Sequence, residues 1–317
     1  MYETKLKKYR RWALHTANKD CDGGEDDVTT LPEGHGDGSK DGSSSGSDDH
    51  DGHEDHGAAS EDSDDGFGPR VVQLLAIRAN FSVRSIYATD WIQPRHIYSA
   101  CKGEVQEEGM VDLILTGPSR SLQAYGGLYL KVFTADDEGS CTSPPIIGEW
   151  DVTEDEEVAE YTQTIDGGPG RKLEITYLVI SGSVEANVEV ELNLKDLGSG
   201  GRSVYGSIKA SAIGYGSKSS IHLFSCERGR SLSVPCGSTS DLPLSLDMIA
   251  LPYFSYSRPH FKLHLEVDLR VITSCGSQEE DKNLNFYLEF TRGTRSLERE
   301  ADGDQVEVNV TWCLNGY

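Results

Sequence analysis

Positive charge is scarce in this 317-residue sequence: 29 Lys+Arg stand against 53 Asp+Glu, for a formal net charge of −24. That balance argues against a nucleic-acid-binding protein held by a basic surface. Long apolar runs are missing too. No stretch approaches the ~18 consecutive apolar residues of a membrane-spanning helix, which argues against a membrane partner. Lys5, Lys7, Lys8, Arg10 and Arg11 are not followed by the ~7–15-residue apolar segment of a secretory signal. The expected location is therefore the cytoplasm, the nucleus or both. The seven cysteines are Cys21, Cys101, Cys141, Cys226, Cys236, Cys275 and Cys313, with no C-x-x-C pair among them. A zinc ribbon or thioredoxin-type site is thus poorly supported, and buried free thiols are expected. No cofactor is implied.

What is present falls into three segments. Residues 1–19 hold one acid and six bases. Leu6, Tyr9 and Ala13, with Trp12 nearby, outline a short amphipathic helix. Its basic run reads as a solvated segment, with a nuclear address as the alternative. Residues 20–66 hold 17 acids and one base, a net −16, and their only apolar residues are Cys21, Val28, Leu31, Ala58 and Ala59. Ordering costs ~1–2 kcal/mol per residue and nothing there offsets it, so a disordered, low-complexity acidic arm is expected. Residues 67–317 carry the remaining net −13 over 251 residues.

This last segment alternates with period 2. Leu173, Ile175, Tyr177 and Val179 share one face, as do Val184, Ala186, Val188, Val190, Leu192 and Leu194, opposite Glu185, Asn187, Glu189, Glu191 and Asn193. Residues 261–271 and 306–314 repeat the pattern. Such alternation marks strands with one wet and one buried face. Further strands are expected over 85–91, 111–116, 122–133, 203–213, 219–226, 243–251 and 285–291, with turns at Gly117-Pro118, 166–170, 198–201, Gly237-Ser238 and 302–304. No helix of three turns is found, which excludes a parallel α/β design. The fold class is all-β: an antiparallel β-sandwich-like body behind a disordered acidic N-terminal arm. One domain of about 245 residues is expected, with a two-lobed body split near 198–202 as the alternative.

Candidate chemistry is thin. His50, His53 and His56 lie at i, i+3, i+6 in an Asp-rich tract, and imidazole suits zinc, copper and nickel. The spacing is not that of H-E-x-x-H, nor does it fit an EF-hand loop, so these residues are weak metal ligands at most and no metal site is assigned. Gly42-Ser43-Ser44-Ser45-Gly46 matches G-x-S-x-G but has no strand-to-helix scaffold. Ser45 and Thr30 precede acids by three residues and suit acidophilic kinases. The carboxylates of Glu149–Glu160 and of Asp136-Asp137-Glu138 read as solvated loops ahead of a calcium site. His96, His222, His260 and His264 are far apart, and no catalytic residue is assigned. Asn80-Phe81-Ser82 and Asn309-Val310-Thr311 match the glycosylation sequon without an export signal.

Four stretches carry a family resemblance: Leu115-Thr116-Gly117-Pro118; residues 182–190, from Gly182 to Val190; Ile221-His222-Leu223-Phe224 followed by Leu242-Pro243-Leu244-Ser245; and the closing residues 306–312. In that order the body, about 70–315, resembles a plant family abundant in grasses and known only as domain of unknown function 6598. The resemblance implies no activity and no transferable catalytic residues. Some grass relatives are fused to ribosome-inactivating N-glycosidase domains, which implies a defence setting by association. This chain has no Glu-Ala-Ala-Arg segment of that kind.

The expected function is a non-enzymatic binding or interaction module whose acidic arm meets a basic protein partner. The alternatives are an accessory domain of a defence system, or a hydrolase- or lectin-like site at a loop end.

Overall fold

The computed structural model describes residues 68–90, 92–100, 109–134, 144–196, 202–212, 220–253, 261–275 and 278–313. The chain separates into two units, Met1–Asp65 and Gly66–Tyr317, and the described residues belong to the second. The helix expected over 1–19 and the arm over 20–66 lie outside the described residues.

The first nine strands are β1 (Val71–Ala79), β2 (Val83–Thr89), β3 (Pro94–Ser99), β4 (Val111–Leu113), β5 (Leu122–Gln123), β6 (Gly127–Thr134), β7 (Ile146–Asp151), β8 (Glu160–Asp166) and β9 (Lys172–Ile180). They build sheet I, in the order β4-β1-β9-β8 with β5 beside β1, and sheet II, in the order β3-β2-β6-β7. Ten more follow: β10 (Ser183–Asn193), β11 (Arg202–Ala212), β12 (Ile221–Cys226), β13 (Leu232–Val234), β14 (Thr239–Asp241), β15 (Met248–Pro252), β16 (Leu263–Cys275), β17 (Gln278–Phe290), β18 (Ser296–Ala301) and β19 (Asp304–Cys313). Sheet III runs β14-β10-β19-β18 with β15 on β10, and sheet IV runs β12-β11-β16-β17 with β13 on β11. Every pairing between these strands is antiparallel, as the alternation required.

Sheets I and II enclose one core, with Ile77, Ile175 and Tyr177 facing Ile86, Ile97 and Leu130. Sheets III and IV enclose a second, with Val188, Val190 and Val308 facing Ile208, Leu265 and Leu269. Sheet I contributes to both. The alternating face of β9 (Leu173, Ile175, Tyr177, Val179) lies in the first core, while Leu178 and Ile180 join the second. A bulge between Leu74 and Ala76 breaks the register of β1 against β9, and Val71 and Leu75 also enter the second core. Gln73 fastens this junction: its Oε1 accepts the backbone N–H of Ala250 in β15 at 2.7 Å, and its Nε2 donates to the Leu74 carbonyl at 2.8 Å. The chain passes from the first pair of sheets to the second at Ile180–Ser183. The 198–202 boundary falls between β10 and β11, whose apolar faces share the second core; residues 197–201 lie outside the described residues.

Several expectations need correction. The single strand foreseen over 122–133 is β5 and β6, in different sheets, because Ala124–Gly126 carries the chain from one layer to the other. Strands β3, β7, β8, β13, β14 and β18 were not foreseen. The acidic stretch 149–160 is not one loop: Glu149 to Asp151 belong to β7 and Glu160 opens β8.

Candidate functional site

A cleft of about 600 Å³ opens where the two pairs of sheets meet. That size suits a small ligand. Its wall is drawn from Pro69 and Val71 at the start of β1, from the β2–β3 connection and β3, from the segment 119–123, from Glu185 and Asn187 on β10, and from Cys313 at the end of β19.

Asp90 shapes the β2–β3 connection. It is 1% exposed. Its Oδ1 accepts the N–H groups of Ile92 (2.7 Å) and Gln93 (3.0 Å), the short-range pattern by which Asp fixes a turn. Its Oδ2 accepts the N–H of Gln123 at 3.0 Å and so ties that turn to β5. Gly117 delivers the opposite wall. A Cβ there would sit 2.2 Å from the carbonyl oxygen of His96, so only glycine lets the chain pass this close to β3. The Thr116 N–H donates to Ile97 O at 2.9 Å just before that crossing. This gives Leu115-Thr116-Gly117-Pro118 its structural role, which is to set Ser119, Arg120 and Ser121 at the cleft.

Arg95, on β3, reaches the cleft with a side chain only 14% exposed. Its Nε lies 3.8 Å from Asp90 Oδ2, too far for a hydrogen bond, and this buried nitrogen has no hydrogen-bond partner among the described residues. Asp90 therefore balances the charge of Arg95 without saturating its donors. Leaving a buried donor unmet costs on the order of 1–3 kcal/mol. Glu185, also in the lining, is 9% exposed, and its Oε1 accepts the Ser121 N–H at 3.0 Å. The Ser121 hydroxyl donates to Met248 Sδ at 3.8 Å. Cys313 pairs in register with Glu185, and its Sγ accepts Asn187 Nδ2 at 3.3 Å. No histidine stands among the described lining residues, so neither Ser119 nor Cys313 has an imidazole base there.

The residues singled out from sequence lie elsewhere. His50, His53 and His56, the 42–46 tract, Ser45, Thr30, Asp136 to Glu138 and His260 are outside the described residues. His96, on β3, meets Tyr87 edge-on at 5.2 Å. His264, on β16, has Nε2 3.3 Å from Glu289, and His222 lies on β12. Three of the 149–160 carboxylates are used within the fold. Asp151 Oδ1 accepts the Thr153 N–H, Glu149 accepts the Tyr129 hydroxyl, and Asp155 accepts the Tyr177 hydroxyl while its carbonyl takes Arg70. Among the described residues no group of three or more His, Cys, Asp or Glu could hold a metal ion. Also among them, no helix is long and apolar enough to cross a membrane. Cys226, Cys236 and Cys313 form no disulfide and are only half-buried, less than expected. Asn80 spends both ends of its amide, donating to Gly170 O and accepting the Lys172 N–H, and Asn309 lies inside the paired strand β19. Sequence reading missed Asp90, Arg95 and Glu185 as a set, because the fold brings them together from strands far apart in the chain. The one pointer was the Gly117-Pro118 turn.

A family model described as Domain of unknown function (DUF6598) matches residues 84–311, which takes in β2 through most of β19. No curated protein matches the chain by sequence. Among solved structures, one of Extended-Synaptotagmin 2 that holds its SMP domain and its two C2 domains is similar over 78% of this chain and 58% of its own, at 11% identity and a TM-score of 0.26. A calcium-bound structure of the two C2 domains of Extended-Synaptotagmin 2 is covered to 99%, at 9% identity and a TM-score of 0.25. Human GIVD cytosolic phospholipase A2 is covered to 33%, at 11% identity and a TM-score of 0.21. The chain thus spans less than two thirds of the first of these. At such scores these likenesses carry no argument about ligand or activity.

Proposed function

As the chain belongs to the DUF6598 family, whose description names no activity, we propose a function from the site itself: a non-enzymatic binding module that takes a polar ligand into the cleft. The observation that carries this reading is Arg95, a largely buried side chain in the wall of an open cleft whose guanidinium makes no hydrogen bond to the described residues. A bound acceptor that meets the accessible end of this guanidinium gains a charge-assisted hydrogen bond, which makes binding favourable beyond the contact area alone. The lining combines such donors with an apolar rim from Val71 and Ile92, the usual make-up of a ligand pocket. The hydrolase alternative has less support, since the serines and the cysteine of the cleft lack an imidazole partner among the described lining residues.

A screen of polar small molecules against the full chain by ligand-observed NMR tests this. Ligands are expected whose signal is lost with Arg95→Ala while the variant keeps the dispersed amide spectrum of the folded chain. Ligands indifferent to that change, or none at all, would overturn the reading.

The acidic tract 20–66 supports a second contact, with a basic protein. Its field reaches about one Debye length, ~8 Å at physiological salt. Replacing its Asp and Glu by Asn and Gln should abolish capture of basic partners in a pull-down. Equal capture by both forms would remove the arm from the interaction.

A further inference from the structure

Taking the cleft as the binding site, we infer that its ligand is a small carboxylate that also carries an N–H or O–H donor, such as a hydroxy- or amino-carboxylic acid. The carboxylate is called for by Arg95. Its guanidinium is permanently charged, and its planar fork matches two oxygens held in one plane. Asp90 does not serve that role, because its Oδ2 stands 3.8 Å from Arg95 Nε while it holds the Gln123 N–H. Arg120 adds a second, exposed cation to the cleft lining.

Phosphate would also fit a guanidinium fork, but Glu185 weighs against it. That side chain is nine-tenths buried in the cleft lining and makes no ion pair within 4.0 Å among the described residues. A doubly charged anion beside it is repelled more than a singly charged one. The same residue supplies the second half of the specificity. One of its oxygens holds the Ser121 N–H; the other makes no hydrogen bond to the described residues, and a carboxylate only accepts. A ligand donor placed there completes it. A neutral polyol would satisfy Glu185 but offer the Arg95 fork no pair of charged oxygens.

The test uses the full chain labelled with 15N, reading the Arg95 Nε–H resonance during titration with lactate, acetate, inorganic phosphate and glycerol. Lactate and acetate are expected to shift it saturably, lactate binding roughly tenfold tighter because its hydroxyl meets Glu185. Glu185→Gln should bring the two within about threefold, since a charge-assisted bond becomes a neutral one. Phosphate binding tighter than lactate, glycerol binding as well as lactate, or acetate matching lactate in the wild-type protein would each overturn the inference while leaving the cleft a binding site. If none of the four moves any cleft resonance, this inference and the binding reading both fall. The wild-type comparison decides the matter even if a variant does not fold.

Discussion

Arg202 and Asp304 are 3% and 0% exposed and form a direct ion pair in the second core. Arg202 Nη2 donates to Asp304 Oδ2 and to Thr273 Oγ1, each at 2.8 Å, and Asp304 Oδ1 also accepts the Lys195 N–H at 2.9 Å. Such a pair costs much to desolvate and is dangerous to break. Arg202→Met is expected to destabilise the fold by ~3–5 kcal/mol in urea unfolding, because Asp304 keeps a buried charge without its partner. Adding Asp304→Leu should recover most of that loss. A double variant no more stable than the single one would show that the pair itself supplies the stability. Tyr177 makes a second residue-scale case. Burial, and then the Asp155 carboxylate that accepts its hydrogen bond, push the phenol well above its ordinary value near 10. The folded state therefore holds the proton more tightly than the unfolded one. This contribution is complete below about pH 10 and is lost as pH rises from there through the folded value. Urea midpoints measured at pH 8 and pH 10.5 should fall more for the native protein than for Tyr177→Phe; parallel falls would refute it.

At the scale of elements, the strands readable from sequence are those with a buried face. β9, β10, β16 and β19 lie centrally or pair along their whole length, and their alternation could be read directly. The strands that escaped, β3, β7, β8, β13, β14 and β18, are all terminal or side members of their sheets. An edge strand buries little and is kept polar against unwanted pairing, so it carries no hydrophobic period. Glu160–Asp166 is such a case: Ile165 is its one buried residue, yet its seven residues all pair with β9. Within a central strand the backbone leaves less room. Gly206 of β11 has φ +126°, and a Cβ there would lie 2.1 Å from Asp268 O on the neighbouring β16. Gly206→Ala should therefore cost at least ~2 kcal/mol by thermal or urea unfolding, well beyond the effect of a surface substitution. A loss under about 0.5 kcal/mol would mean that β11 and β16 part easily.

At the scale of the whole molecule, sheet I ties two cores together. Val71, Leu75, Leu178 and Ile180 are buried in the second core while their neighbours on the same strands fill the first. Unfolding of either core therefore exposes apolar surface of the other, and one cooperative transition is expected. Trp150 packs against the first core and Trp312 against the second. Variants retaining only one of these two tryptophans in the body should give coincident fluorescence transitions in urea; separate midpoints would mean that the cores unfold independently. The cleft belongs to this scale as well, since β1, β3, β10 and β19 all supply its walls.

The sequence by itself determined the all-β class, the antiparallel pairing, the faces of the long strands and the concentration of negative charge in residues 20–66. Those properties are local: side-chain period is 2 in a strand wherever it sits, and net charge needs no coordinates. Only the tertiary structure decided that there are two cores, that the chain changes sheets at Ala124–Gly126, and that Asp90, Arg95 and Glu185 share one cleft. Each depends on which strand lies beside which, and pairing between distant segments leaves no mark on the periodicity of either. Glu185 shows the difference in one residue. Alternation placed it on the polar face of its strand, and packing buried it against Ser121 while Glu189 on the same face stays exposed.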